Sequence, residues 1–73
     1  MNEIDLHGFT HDEAVLATED WLLRESLDFG FQVRVITGNS HELQRRIIDD
    51  VLDKHRFNYY IPSYNTGEII VNN

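Results

Sequence analysis

The spacing of the apolar residues alternates between two periods, and this alternation constrains the fold more than any other feature of the sequence. Segments in which every second residue is apolar, as in half-buried strands, are separated by segments with apolar residues at helical spacing. The order is β-α-β-α-β-β, with no linker, repeat or low-complexity segment. Strands are predicted at residues 3–7, 32–37, 57–61 and 68–71. One helix is predicted from Thr10 to about Leu27, and a second begins after Gly38-Asn39-Ser40.

This order predicts a two-layer α/β sandwich. The first two strands are joined by a helix, so they should be parallel with a right-handed crossover. Because three of the four strands alternate instead of forming continuous apolar runs, we expect a four-stranded mixed sheet with both helices on one face. The open face would display Glu3, Asp5, His7, Gln32, Arg34, Asn58, Tyr60 and Glu68. The covered face would carry Ile4, Leu6, Val33, Val35, Phe57, Tyr59, Ile61, Ile69 and Val71.

The two helices differ in how clearly their apolar faces are defined. The second has one apolar stripe, opposite three predicted i,i+4 ion pairs: Arg45 with Asp49, Arg46 with Asp50, and Asp50 with Lys54. The first begins at a capping box formed by Thr10 and Glu13 but has two apolar rows on opposite sides. One row is Ala14, Ala17 and Trp21, and the other is Leu16, Leu23 and Leu27. We expect one row to pack on the sheet and part of the other on the neighbouring helix; the alternative is a leucine row that binds a partner, such as a second copy of the chain.

Length and composition place the chain among small single domains. It has 73 residues, 41% of them apolar, so one domain over residues 1–73 is expected. No cysteine is present, which excludes a disulfide and any zinc or iron–sulfur site with cysteine ligands. The N-terminus lacks the pattern of a secretory leader, and no run approaches the ~18 apolar residues of a membrane span. We therefore expect a cytoplasmic protein without membrane contact.

The formal net charge of -7 is unevenly distributed along the chain. The first 33 residues hold eight acidic residues and one basic residue, whereas the rest of the chain holds five of each. Proteins that bind phosphate backbones usually carry a basic surplus. Any surface for nucleic acid must therefore be local, and its cations must come from the second half of the chain.

The ends of the first two strands carry the polar residues most suited to chemistry. Asp5 and His7 are two residues apart on one strand, hence on one face, and Thr37-Gly38-Asn39-Ser40 follows the second strand. Parallel strands place their carboxyl ends together, where open α/β sheets bind ligands and where the N-termini of the following helices favour anions. A phosphodiester there would contact the helix amides, with His7 as general acid or base and Asp5 orienting or tuning it.

Other polar residues near these strand ends have both a functional and a structural interpretation. Arg45 and Arg46 would hold a phosphate backbone, or would only form a solvated ion-pair face. Histidines at the helix starts could assist, and tyrosines could stack on unpaired bases: His11, His41, Tyr59, Tyr60 and Tyr64. Asp5, His7 and His11 are suitable metal ligands by type, but their spacing matches no established zinc pattern. We therefore predict no metal or other cofactor.

One longer motif resembles a known family. The opening Ile4-Asp5-Leu6-His7-Gly8, followed by Asp12-Glu13-Ala14, resembles the L-D-L-H-G…E-A signature of the Smr (small MutS-related) domain. The element order, the glycine after the second strand and the closing Gly67-Glu68-Ile69-Ile70-Val71 follow the family pattern over essentially the whole chain. The resemblance implies a two-layer α/β fold and action on nucleic acid, either nicking branched DNA or cleaving RNA, including messenger RNA at stalled ribosomes. It also implies that Asp5 and His7 are the D-x-H residues tied to cleavage.

Two segments depart from the family pattern. The family's H-G-K-G is Thr37-Gly38-Asn39-Ser40 in this chain. The family's G-G-G-A-T-I-V-like run is Asn65-Thr66-Gly67-Glu68-Ile69-Ile70-Val71, which keeps one glycine and introduces a carboxylate. Both departures remove capacity to bind phosphate.

Two hypotheses follow. The first is an Smr-type endonuclease or binding protein for RNA or branched DNA, which attaches weakly or with the help of a protein partner. Its catalytic residues would be Asp5 and His7, and its backbone-binding residues would be Gly8, Gly38, Asn39, Ser40, Arg45 and Arg46. The alternative is a catalytically degenerate Smr domain that serves as an acidic protein–protein interaction module and binds a basic partner.

Overall fold

The computed structural model describes all 73 residues and confirms the predicted order of strands and helices. The elements are β1 (Asn2–Asp5), α1 (His11–Glu25), β2 (Gln32–Ile36), α2 (His41–Ile47), β3 (Asn58–Tyr60) and β4 (Glu68–Asn72). A π-helical segment, Ile48–Leu52, continues α2. No helix is long and apolar enough to cross a membrane.

The four strands form one mixed sheet in the order β1-β2-β4-β3. β1 and β2 are parallel, as predicted, with Ile4 opposite Val35. β4 lies between β2 and β3 and is antiparallel to both. As a result β1, β2 and β3 end where β4 begins, and we call this side of the molecule the carboxyl end of the sheet.

The core lies between the helices and one face of the sheet. Its fully buried side chains come from the central strands and from both helices: Val35, Ile69, Val71, Leu22, Ile47, Val51 and Leu52. Tyr59 lies on the covered face as predicted, opposite Val71, but the helices cover this edge only in part, and 37% of Tyr59 and 38% of Ile61 are exposed. Both lie on or just after the short edge strand β3, which has a neighbour on one side only.

The opposite face of the sheet is less open than predicted. Glu68, expected on an exposed face, is buried, and its neighbour Ile70 is only 1% exposed. Arg34 is paired with Ile70 across the strands and reaches two carboxylates, with Nη1 3.1 Å from Glu3 and Nε 3.1 Å from Glu68. The Nε contact is an ion pair and not a directed hydrogen bond. One guanidinium therefore links three strands and neutralises part of this acidic face.

The leucine row of α1 faces solvent. Leu16 is 68% exposed and Leu27 is 84% exposed, so the prediction that part of this row packs on the neighbouring helix is wrong. The buried side of α1 is instead formed by Ala14, Val15, Thr18 and Leu22. The capping box of Thr10 and Glu13 is present, and the helix ends at Glu25, two residues before the predicted end.

The π-helical segment changes the ion pairs predicted for α2. The amide of Asp53 donates to the carbonyl of Ile48 at 2.8 Å, five residues back, so the angular spacing of side chains departs from that of an α-helix. Of the three predicted i,i+4 pairs only Arg46 with Asp50 forms, at 3.8 Å. Arg45 has no acidic partner, and Lys54 pairs with Glu19 of α1 at 3.2 Å.

Candidate nucleic-acid interface

The backbone turns sharply where β1 ends. The strand ends at Asp5 and not at His7, so the prediction that both side chains stand on one strand face is wrong. The Asp5 carboxylate instead accepts a hydrogen bond from the backbone amide of His7 at 3.0 Å. Gly8 follows with a φ of 82°, a left-handed conformation that glycine adopts without strain. Asp5 therefore fixes the turn that presents the exposed His7.

The end of β2 forms the other side of the site. The amide of Leu6 donates to the carbonyl of Ile36 at 3.0 Å, which continues the pairing of the two strands past Asp5. A cleft of ≈ 260 Å³ lies at this point. It is lined by Asp5, His7, Ile36, Thr37 and Gly38. The prediction that the two strand ends lie side by side is confirmed.

The backbone amides around the cleft fall into two groups. Those of Thr37 and Gly38 both donate to the carbonyl of Gly67 at 2.9 Å, so neither is available to a ligand. Those of Gly8, Asn39 and Ser40 make no hydrogen bond within the chain. These three residues do not line the cleft itself, but they lie in the loops that directly follow His7 and Gly38, and their amides are free to bind an anion.

The two neighbouring arginines of α2 are in different environments. Arg46 donates to Asp12 at 2.6 Å and lies 3.8 Å from Asp50. The hydrogen bond to Asp12 raises the pKa of Arg46 above its ordinary value. Arg45 is exposed and has no carboxylate within ion-pair distance. Of the two predicted backbone-binding arginines, only Arg45 presents an unpaired charge.

A second groove lies between α2 and the edge strand β3. It has a volume of ≈ 370 Å³. It is lined by His41, Gln44, Arg45, Ile48, Tyr59 and Ile61. Gln44 was not predicted from the sequence; it is buried and donates to the Thr37 hydroxyl at 2.9 Å and to the Thr66 carbonyl at 2.7 Å. A glutamine beside the apolar stripe was the only signal that could have indicated it.

The remaining predicted residues lie apart from the cleft. His11 does not line it, and no group of three or more histidine, cysteine, aspartate or glutamate side chains is placed to hold a metal ion. His55 lies at the far end of α2, where its Nε2 is 2.7 Å from a Glu19 oxygen. Hydrogen bonds from His55 and then Lys54 hold the pKa of the Glu19 carboxyl below its ordinary value. The sequence did not predict this cluster.

The fold and the cleft define a class of protein: a two-layer α/β domain with its polar site at the carboxyl ends of parallel strands, where open α/β sheets bind ligands. The Smr domain family model matches residues 4–69, so the chain belongs to the Smr family over essentially its whole length. Smr domains are associated with nucleic-acid binding and nuclease activity. No curated protein and no solved structure matches the chain.

Proposed function

We propose that this Smr domain binds RNA or branched DNA at the carboxyl end of the sheet and cleaves a phosphodiester there. The observation that carries the proposal is the cleft in which His7, oriented by the Asp5 turn, lies beside loops with three unpaired amides. Backbone amides bind phosphate oxygens, and an imidazole transfers protons near neutral pH. The site thus combines an anion-binding element with a general acid or base.

The proposed step is a displacement at phosphorus. The amides of Gly8, Asn39 and Ser40 hold the phosphate, and His7 removes the proton from the attacking hydroxyl of water or of a ribose. A bond forms between that oxygen and phosphorus, the bond to the leaving oxygen breaks, and the leaving oxygen takes up a proton from the protonated His7 or from solvent. Asp5 acts as a positioning residue, because its carboxylate contacts the backbone of His7 and not its ring.

Binding is expected to be weak. Glu3 and Glu68 flank Arg34 on the outer face of the sheet and neutralise its charge, and Arg46 is neutralised by Asp12. A nucleic acid would therefore find few free cations and would approach the carboxyl end of the sheet, not its face. A protein partner that supplies positive charge would strengthen the complex.

A second candidate function is that of an acidic interaction module. Its supporting observation is the exposed row formed by Leu16 and Leu23 on α1 and by Leu27 just after it; α1 contains much of the acidic surplus. A basic protein with an apolar patch would complement this face, whereas a second copy would bring like charges together. If the wild-type protein binds neither RNA nor DNA even at low salt, the interaction function is favoured over cleavage.

Cleavage assays with single variants test the proposed mechanism. Labelled structured RNA and branched DNA are incubated with each protein, with and without magnesium. His7→Ala should lower the rate by about 10²-fold or more. Asp5→Ala should also lower it, whereas Asp5→Asn should retain most activity because the amide oxygen still accepts from the His7 backbone. His11→Ala is the matched control, and equal cleavage by all variants would refute the assignment.

A further inference from the structure

The groove between α2 and β3 opens at the same end of the sheet as the His7 cleft. Its β3 wall is formed by Tyr59 and Ile61, where that strand ends. Buried hydrogen bonds join the two: Gln44 lines the groove and donates at 2.9 Å to the hydroxyl of Thr37, which lines the cleft, and at 2.7 Å to the carbonyl of Thr66, before β4. A chain bound in the cleft would reach the groove by passing over this bridge.

Arg45 gives this groove a free positive charge. Of the six basic residues, four are ion-paired: Arg24, Arg34, Arg46 and Lys54. Arg45 and Arg56 are the two that have no acidic partner, and Arg56 precedes β3 at the opposite end of the sheet. Arg45 is thus the one unpaired guanidinium near the cleft, in a chain whose net charge is -7.

Tyr59 gives the groove an accessible aromatic ring. The register of β3 places this residue opposite the buried Val71, on the helix-covered face of the sheet, yet 37% of it is exposed. The groove thus offers an aromatic ring and a guanidinium, and unpaired bases bind such sites by stacking on the ring with the cation near the sugar–phosphate backbone.

The chemistry of the groove restricts what it can bind. Its volume of ≈ 370 Å³ lies at the lower end of the range for small-molecule pockets. Bases within a duplex are stacked on each other and do not offer a face to Tyr59. An unpaired base can therefore stack on Tyr59, whereas a base inside a continuous double helix cannot.

We propose that this groove binds one unpaired nucleotide adjacent to the phosphate held in the cleft, with Tyr59 stacking on the base and Arg45 contacting the backbone. The proposal rests on the proposed function and deepens it. It assigns the substrate class as RNA or DNA with a single-stranded segment beside the cleavage point, so fully paired duplexes are poor ligands.

Binding measurements with a cleavage-deficient protein test the proposal. The His7→Ala protein is titrated with labelled single-stranded RNA, single-stranded DNA and blunt duplexes of the same sequences, and anisotropy is recorded at low salt. Single strands should bind more tightly than duplexes. Adding Tyr59→Ala should weaken single-strand binding by roughly 5- to 100-fold, whereas Tyr59→Phe keeps the ring and should stay within about twofold. Arg45→Ala should weaken binding of RNA and DNA alike.

Two matched controls separate a specific groove from general surface effects. Phe29→Ala removes an exposed aromatic ring in the loop before β2, at the opposite end of the sheet, and Arg56→Ala removes the other unpaired cation. Both should leave binding unchanged, and circular dichroism should show that every variant is folded. Equal binding of duplex and single strand, or equal losses from Tyr59→Ala and Phe29→Ala, would overturn the groove assignment while the proposed function stands. Absence of binding to every nucleic acid would overturn both.

Discussion

Glu19 joins the two helices at the end of the molecule opposite the cleft. Its carboxylate receives the side chains of His55 at 2.7 Å and Lys54 at 3.2 Å, from the segment that follows the π-helical turn. These hydrogen bonds favour the ionised carboxylate and lower its pKa below the ordinary 4.5. A group whose pKa is lower in the folded state stabilises the fold above its unfolded pKa, and that contribution is lost as the pH falls through the folded value.

We predict that Glu19→Gln flattens the acid side of the stability profile. Urea unfolding midpoints of the wild type should fall as the pH is lowered from about 5 through the folded pKa of Glu19, because Glu19 must be protonated. The Glu19→Gln protein should be less stable near pH 6 and should lose less over the same interval. Asp20→Asn is the control, since Asp20 pairs only with Arg24 on the exposed surface of α1. Parallel profiles for the wild type and Glu19→Gln would contradict the prediction.

Thr18 holds a buried hydroxyl that has no hydrogen-bond partner. A buried, unsatisfied polar group costs about 1–3 kcal/mol, so its replacement by an apolar group of the same shape should stabilise the fold. We predict that Thr18→Val raises the free energy of unfolding by about 1 kcal/mol. Thr18→Ser keeps the hydroxyl but loses the methyl group, and should lower it by about 1 kcal/mol. A destabilised valine variant would show that the hydroxyl has a partner.

At the scale of elements, α1 presents leucines to both core and solvent. Leu22 is fully buried and Leu16 is 68% exposed, although both are on the same helix. Leu22→Ala should lower the free energy of unfolding by about 2–5 kcal/mol, because it creates a cavity. Leu16→Ala should change it by less than about 0.5 kcal/mol. Chemical denaturation of the two variants measures the difference, and a large loss at Leu16 would mean that the row is covered in solution.

The elements themselves were predictable because their signals are local. The alternation of apolar and polar residues located β1 and β2, and the capping box of Thr10 and Glu13 located the start of α1. From the parallel order it followed that His7 and Thr37 would approach each other. Boundaries were less accurate, since the Asp5 side chain competes for the His7 amide and ends β1 early.

The parts of the site that were not predictable depend on residues distant in sequence. Arg46 is occupied by Asp12, 34 residues away, and Gln44 bonds to Thr66, 22 residues away. Helical spacing indicated neither of these contacts. It did predict an ion pair between Arg45 and Asp49, which does not form because Asp49 lies in the wider π-helical turn. The difference between Arg45 and Arg46, and hence the groove beside β3, became visible only in three dimensions.

At the scale of the whole molecule, paired charges set the salt dependence of binding. Arg45 is the one unpaired cation near the cleft, so it should neutralise about one phosphate. The logarithm of the association constant for a single strand should then fall against the logarithm of the salt concentration with a slope of about -0.7. Arg45→Ala should bring it close to zero, and Arg56→Ala should leave it unchanged. Fluorescence titrations over a series of salt concentrations measure the slope. A slope steeper than about -3 would show that several further cations contact phosphate.

The position of β4 in the middle of the sheet has a consequence for biosynthesis. Residues 68–72 pair with both β2 and β3, so neither of those strands has its complete set of backbone hydrogen bonds before the last of these residues is available. A nascent chain that emerges from the ribosome can form α1 and the β1–β2 pair but cannot close the sheet. Until residues 68–72 pair with them, the exposed edges of β2 and β3 are open to association with other unfinished chains.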